Sequence, residues 1–469
     1  MPETARPTSL SPRFNALPSA FPWTGWRRSA ALAIGMASAA LTCPGSALAQ
    51  SAQQIRWCNN EDQATSDQAI GGCTAIIKSG QFSRSDLAIA YTNRGSAYDE
   101  KGDQDSAIAD HDQAIRIDPK LHLSYNNRAN AYGRKGDIDR AMADYDRAIK
   151  LNPRFFEAYN NRGTTWRDDR HDSKRAIADY DKAIGLNPKY ADAYNNRGIA
   201  YDNLGDHDRA MADYSSAIRL DPKMARAWNN RGLQHHAKRD YAAATADFDV
   251  AIAIDPGYAN AYRNRGSTYI QTLAYDRAIA DFDKALTIKP DDTQAFLSRG
   301  IAYSKVGDYD RAIADYDKVV AASPRDAGAL SNRGYARFYK GDFAGAVADL
   351  SPIPASETYP YTALFQFLAQ ARAAQPTIDL APLAARMSNQ AWPSAVVEFY
   401  LGRRDADATL AAAKSDDERC EAQFYVGEWQ LAQGQRDAAR RLLEDAAANC
   451  PKTFIEYTGA KAELQRLRP

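Results

Sequence analysis

The sequence predicts an all-α solenoid, a right-handed superhelix of antiparallel helix pairs, followed by a helical C-terminal extension. Two observations carry this. The stretch Tyr194-Asn195-Asn196-Arg197-Gly198 and its continuation to Pro222 recur along the chain in nearly the same words. The motif arginine falls at Arg94, Arg128, Arg162, Arg197, Arg231, Arg265, Arg299 and Arg333, 34 residues apart with one spacing of 35. A fixed period of this length marks stacked supersecondary units rather than one globular core.

Each unit has its own physical logic. Tyr194, Gly198 and Tyr201 share one helical face, and Ala210, Tyr214 and Ala217 share another. Gly205-Asp206 breaks the pattern between them, as a tight turn requires. Pro222 stops the second helix. The glycine lets the two helices approach closely, and the alanines let the second helix nest on its neighbour. This spacing resembles the tetratricopeptide repeat (TPR), a helix-turn-helix with aromatic, Gly, Tyr, Ala, aromatic and Pro at fixed offsets. The resemblance implies eight units over 88–360, at 88–121, 122–155, 156–190, 191–224, 225–258, 259–292, 293–326 and 327–360. Arginine stands where the family usually has leucine before the glycine. One extra residue between Trp166 and Ala176 lengthens the turn at 168–174.

The ends differ from the array. Residues 1–49 read as a secretory signal peptide: Arg27-Arg28, an apolar run from Ala30 to Leu41, then Ala47-Leu48-Ala49 for cleavage before Gln50. The run is too short to span a bilayer as a helix. Cys43 follows Ala40-Leu41-Thr42, which fits the lipoprotein pattern poorly, so no lipid anchor is expected. The whole sequence has 59 basic and 59 acidic residues. This balance argues against a nucleic-acid or anionic-membrane footprint. Four cysteines remain after cleavage, an even number that suggests disulfides in an exported chain. Residues 50–87 read as an N-terminal capping hairpin stapled by Cys58–Cys73. Terminal repeats need such a cap because their outer face has no neighbour.

After Leu350, Ser351-Pro352-Ile353-Pro354 cannot continue a helix. Residues 361–469 then read as helical. They contain a ninth TPR-like hairpin at about 420–453, whose Cys420 and Cys450 lie at the same end and can pair. Trp392-Pro393, Phe399-Tyr400-Leu401-Gly402 and Gln423-Phe424-Tyr425-Val426-Gly427 resemble the end of periplasmic TPR lipoproteins of the new-lipoprotein-I type. That resemblance implies a non-catalytic envelope adaptor whose partners are a processing protease and peptidoglycan hydrolases. The absent lipobox is a departure from it.

Candidate recognition residues follow from the period. Asn93, Asn127, Asn161, Asn196, Asn230, Asn264 and Asn332, with Ser298 in the series, precede the motif arginines. On first helices lining an inner groove, carboxamides offer a donor and an acceptor to an extended peptide. Equally, they can brace their own helix or bond the neighbouring repeat, because Asn is a poor mid-helix residue. The motif arginines could grip a peptide carboxylate, but the equally periodic aspartates of the second helices favour internal pairing. Asp99, Arg167, Asp202 and His236 fall at one matched position that varies, where partner selectivity is expected.

Nothing points to catalysis. The six histidines lie in the array, no His-x-x-x-His or Cys-x-x-Cys spacing occurs, and there is no nucleophile elbow, P-loop or dinucleotide fingerprint. No cofactor or metal is expected. The reading is an exported adaptor that binds peptide segments in its groove. The alternatives are a scaffold working through its ends or convex face and, remotely, a hydrolase in the 355–415 segment.

Overall fold

The computed structural model describes residues 45–354, 360–387 and 392–468. Most of the signal segment, with Cys43, lies outside them, as do parts of the 355–415 segment. Every regular element among the described residues is helical, with consecutive helices paired. No described helix is long and apolar enough to cross a membrane. The chain divides into two compact units after Gln234.

In the first unit, α1 (Gly45–Cys58) and α2 (Ser66–Ser79) form a hairpin, with Cys58 and Cys73 joined at a Cα separation of 4.6 Å. Four pairs follow: α3 (Arg84–Glu100) with α4 (Gln104–Ile117), α5 (His122–Arg134) with α6 (Ile138–Leu151), α7 (Phe156–Asp168) with α8 (Ser173–Leu186), and α9 (Ala191–Asn203) with α10 (His207–Leu220). The sequence explains the last pair. Gly205 turns the chain at φ 78°. Asp206 then caps α10 by accepting from the Arg209 amide at 3.1 Å. A Cβ on Gly198 would lie 2.7 Å from the Tyr214 ring, so only glycine lets the two helices close. Tyr145, Tyr180 and Tyr214 fill matched buried places. In the first pair His111 stands there instead, fully buried, and neither ring nitrogen has a hydrogen-bond partner among the described residues. Burial pushes its pKa down to about 3. The extra residue after Trp166 lengthens the turn before α8, where His171 takes at φ 52° the left-handed place that Gly205 holds in the next pair.

α11 (Ala225–Ala237) contains the division between the units. The second unit continues with α12 (Tyr241–Ile254). It repeats the pairing in α13 (Ala259–Gln271) with α14 (Tyr275–Ile288), α15 (Thr293–Val306) with α16 (Tyr309–Ala322), and α17 (Ala327–Lys340) with the short α18 (Phe343–Leu350). Then come α19 (Pro360–Arg372), α20 (Ala381–Arg386), α21 (Ser394–Tyr400), α22 (Ala406–Ala411), the hairpin α23 (Asp416–Ala432) with α24 (Arg436–Asn449), and α25 (Ile455–Arg466). Cys420 and Cys450 close the base of that hairpin at a Cα separation of 5.1 Å. The core here is aromatic, with Phe338, Phe365, Phe424, Tyr425 and Leu443 all buried together.

Candidate functional site

A lattice of ion pairs fixes the frame on which any recognition surface stands. Arg197 donates from Nε and Nη2 to Asp213 at 2.8 and 2.7 Å, and from Nη1 to Asp181 of the preceding pair at 2.6 Å. Arg128 and Arg162 do the same with Asp144 and Asp112, and with Asp179 and Asp146. In the second unit Arg265, Arg299 and Arg333 repeat it on Asp281 and Asp249, Asp315 and Asp283, and Asp349 and Asp317. Arg94 also grips Asp110 with two nitrogens. These guanidiniums are committed to fork-like internal pairing and are not peptide clamps.

The asparagines are also largely committed. In the first unit they form a continuous chain across the repeats. Asn127 donates to the Ser96 hydroxyl at 3.0 Å, and Asn126 donates to Asn127 at 3.0 Å. Asn161 donates to Asn126, Asn196 to Asn160, and Asn230 to Asn195, each at 3.0 Å. Within each helix the preceding asparagine closes the link, as Asn160 does to Asn161 at 3.4 Å. Asn127, Asn161 and Asn230 are buried, so the arrangement is that of a brace between repeats. Asn93 is half-buried and Asn264 buried. The matched variable residues are engaged too. Asp99 accepts from Arg134 at 2.6 Å, and burial pushes its carboxyl up. Arg167 is buried, holds Asp168 at 2.6 Å and donates to the Asn196 carbonyl at 3.3 Å. Asp202 meets His207 at 2.7 Å. His236 meets Thr268 at 2.9 Å, and burial pushes it down to about 4.

The first helices of the second unit present a different wall. At the matched places they carry Ile270, Leu297, Ile301, Tyr335 and Tyr339. The chain's own C-terminal end lies against them. Lys305 donates to the Thr453 and Phe454 carbonyls at 2.8 and 3.1 Å and to the Thr458 hydroxyl at 3.2 Å. Burial pushes its pKa down to about 8. The Tyr339 hydroxyl donates to the Ile455 carbonyl at 3.0 Å, and Arg466 donates to the Tyr339 carbonyl. α25 and the residues leading into it therefore cover part of the wall. A mostly apolar cleft remains, lined by Ile270, Tyr275, Ile301, Tyr335 and Ile455 among others, with Asn332 in its wall. Asn332 is 7% exposed, and its carboxamide has no partner among the described residues. The brace cannot reach it: the residue that would accept from it, by analogy with Asn160 and Asn195, is Leu297. Sequence reasoning grouped Asn332 with the others and missed Leu297, although that substitution is visible in the repeat.

Glu421, beside the 355–415 segment, is buried and accepts from the Tyr361 hydroxyl at 2.9 Å and Trp392 Nε1 at 2.6 Å. Both donors anchor the fold around it. Among the described residues no group of three or more His, Cys, Asp or Glu could hold a metal ion.

Several solved structures resemble this chain. MamA is 28% identical over 34% of this chain and 94% of its own, with a TM-score of 0.31. A tetratricopeptide repeat protein from Parabacteroides merdae is 20% identical over 54% and 98%, with a TM-score of 0.42. YrrB, described as a TPR protein with an unusual peptide-binding site, is 25% identical over 39% and 95%, with a TM-score of 0.32. Family profiles described as "Tetratricopeptide repeat" or "TPR repeat" match residues 122–155 and 191–224, 95–136 and 172–205, 259–292, 297–351, and 421–453 in the α23–α24 hairpin. With the period, the paired helices and these matches on the page, the chain belongs to the tetratricopeptide repeat family.

Proposed function

We propose that this chain is an exported, non-catalytic adaptor. It holds peptide segments of other proteins on the wall formed by its first helices. It links an envelope protease or peptidoglycan hydrolase to its partners, in the periplasm or outside the cell, without a lipid anchor. The observation that carries this reading is a constant frame under a changing wall. The Arg–Asp lattice and the Gly–Tyr contacts recur from repeat to repeat, while Ser96, Asn130, Thr164 and Ile199 differ at one matched wall position. Structural upkeep needs the constant part, and recognition needs the variable part. Export is supported by the N-terminal Arg27-Arg28 and apolar run and by cysteines placed to pair.

Replacing the bracing asparagines with alanine tests stability rather than binding. A photo-crosslinking residue tests binding without disturbing the brace. Placed at Ile199 or Asn203 on the wall of α9, it is expected to capture specific envelope proteins. Placed at Asp208 or Arg219 on α10, it is expected to capture none of them. Capture confined to the α10 positions would instead mark a scaffold that works through its outer face.

A further inference from the structure

We propose that Glu421 and Glu456 form a proton-controlled latch on α25. While the pair keeps a proton, the helix stays against the first helices of the second unit; when both ionise, it lifts and uncovers them. The latch goes beyond the adaptor reading, and only what the uncovered wall would hold rests on that reading. Three features carry it. The first is the face that α25 buries: Glu456, Thr458, Gly459, Ala460, Ala462 and Glu463. Carboxyls and small groups stand where a core helix carries large apolar side chains, so charge weighs heavily in how firmly α25 is held. The second is register. Glu421 and Glu428 lie seven residues apart on α23, as Glu456 and Glu463 do on α25, and all four are buried. The third is uneven pairing. At one end Arg372 donates to Glu428 at 2.8 Å and to Glu463 at 3.3 Å, and Arg466 donates to Glu463 at 3.2 Å. At the other end the donors are neutral. The Tyr425 hydroxyl donates to Glu456 at 2.7 Å, and Glu421 accepts from Tyr361 and Trp392. Lys305, the cation that faces Glu456, directs its hydrogen bonds to Thr453, Phe454 and Thr458 instead.

The direction of the switch follows. Two buried carboxyls served by neutral donors resist ionising together, because burial penalises each charge and each charge opposes the other. Burial, and then Glu421, push the Glu456 carboxyl well above its ordinary value of 4.5. The docked helix therefore holds the proton more tightly than the undocked one. Docking is full below about pH 4.5 and is lost as pH rises through the raised value. Glu428 acts in the same sense, since burial lifts it to about 7 against the pull of Arg372 and Arg466. Lys305 acts in the opposite sense at higher pH. Burial pushes it down to about 8, so its charge costs docking below that value and the cost is relieved above it. Tyr335 and Tyr339 of α17 and Tyr425 of α23 also face Glu456, and burial keeps them neutral by pushing each up. The opening window therefore runs from about pH 5 to about pH 8.

The test is backbone hydrogen exchange of the full oxidised chain at about pH 5 and about pH 8, corrected for the intrinsic pH dependence of exchange and read by mass spectrometry. Residues 455–466 are expected to lose about tenfold or more of their protection at the higher pH, since one pKa unit is a tenfold change in docking. α13 and α14 are expected to keep theirs. Glu456→Gln keeps an acceptor for Tyr425 and cannot ionise, so it is expected to leave 455–466 protected at both values. Glu421→Gln removes the opposing charge and is expected to shrink the loss. Equal protection of 455–466 at the two pH values in the unaltered chain would overturn the latch. Equal losses in the unaltered chain and both variants would overturn it too. A photo-crosslinker at Ile270, which lines the wall beside Thr453 and Ile455, separates the two readings. It is expected to capture partners at about pH 8 and none at about pH 5. A helix that opens with pH, with no capture at Ile270 or Ile199, would support the latch and sink the adaptor reading.

Discussion

The two units are built on one frame and finished differently. In the first, the wall is polar, and its asparagines bond one another from Ser96 to Asn230. In the second, the matched wall also carries Ile270, Leu297, Ile301 and Tyr335, is partly covered by α25, and leaves Asn332 with no partner among the described residues. The chemistry of the residue in the motif is identical in both. Its role is set by the neighbouring repeat: an asparagine there makes a brace, and Leu297 there leaves an open amide. A recurring side chain is therefore assigned a function by what stands one repeat earlier.

The comparison can be broken at several depths. The shared frame has the largest effect. Arg197→Ala and Arg299→Ala each leave one buried carboxylate, Asp213 or Asp315, without its cation and are expected to cost about 3–5 kcal/mol in urea unfolding followed by circular dichroism. Equal losses in the two units would support a common frame, and a small loss at either would show that the lattice is not structural there. Next comes the N-terminal staple. Opening Cys58–Cys73, a 15-residue separation, is expected to cost the hairpin about 3 kcal/mol. Alkylation after mild reduction reads this as exposure of α1 and α2 before the repeats unfold.

Asn160→Leu gives the first unit the second unit's kind of wall. It removes the acceptor of Asn196 and the donor to Asn161, at an expected cost of about 1–3 kcal/mol. An unchanged melting temperature would mean the brace is decorative. His111 sharpens the contrast by pH. Its folded pKa lies near 3, below the ordinary 6.5, so the unfolded chain binds the proton more readily. The stability of the first repeat is therefore expected to fall as pH drops from about 6.5 towards 3, and His111→Phe should remove that dependence. A melting temperature equally acid-sensitive in wild type and His111→Phe would contradict it. The smallest effect is that of Leu297→Asn, which is expected to add about 1 kcal/mol by closing the bond to Asn332, less what is lost in apolar packing.

Much of the frame could be read from residues alone. Equal spacing of arginines and aspartates anticipates the lattice, and glycine sixteen residues before Tyr214 anticipates the close helix approach. The cysteine pairs follow from their places in two hairpins. The wall was harder. Period alone puts Asn127 and Asn332 in one class, because a helical repeat reports which face a residue is on and not what faces it. Lys305 and α25 were hidden for a related reason. Their contact spans about 150 residues, and no local pattern encodes it. His111 sits where a tyrosine recurs, so the substitution was visible, but its want of partners was not.

The most direct measurement is side-chain amide hydrogen exchange, read by 15N NMR of the perdeuterated full chain labelled at asparagine. The NH2 protons of Asn127, Asn161 and Asn230, each bonded to the neighbouring repeat, are expected to be protected, and those of Asn332 to exchange quickly. Fast exchange along the Asn127–Asn230 series with Asn332 protected would contradict the brace.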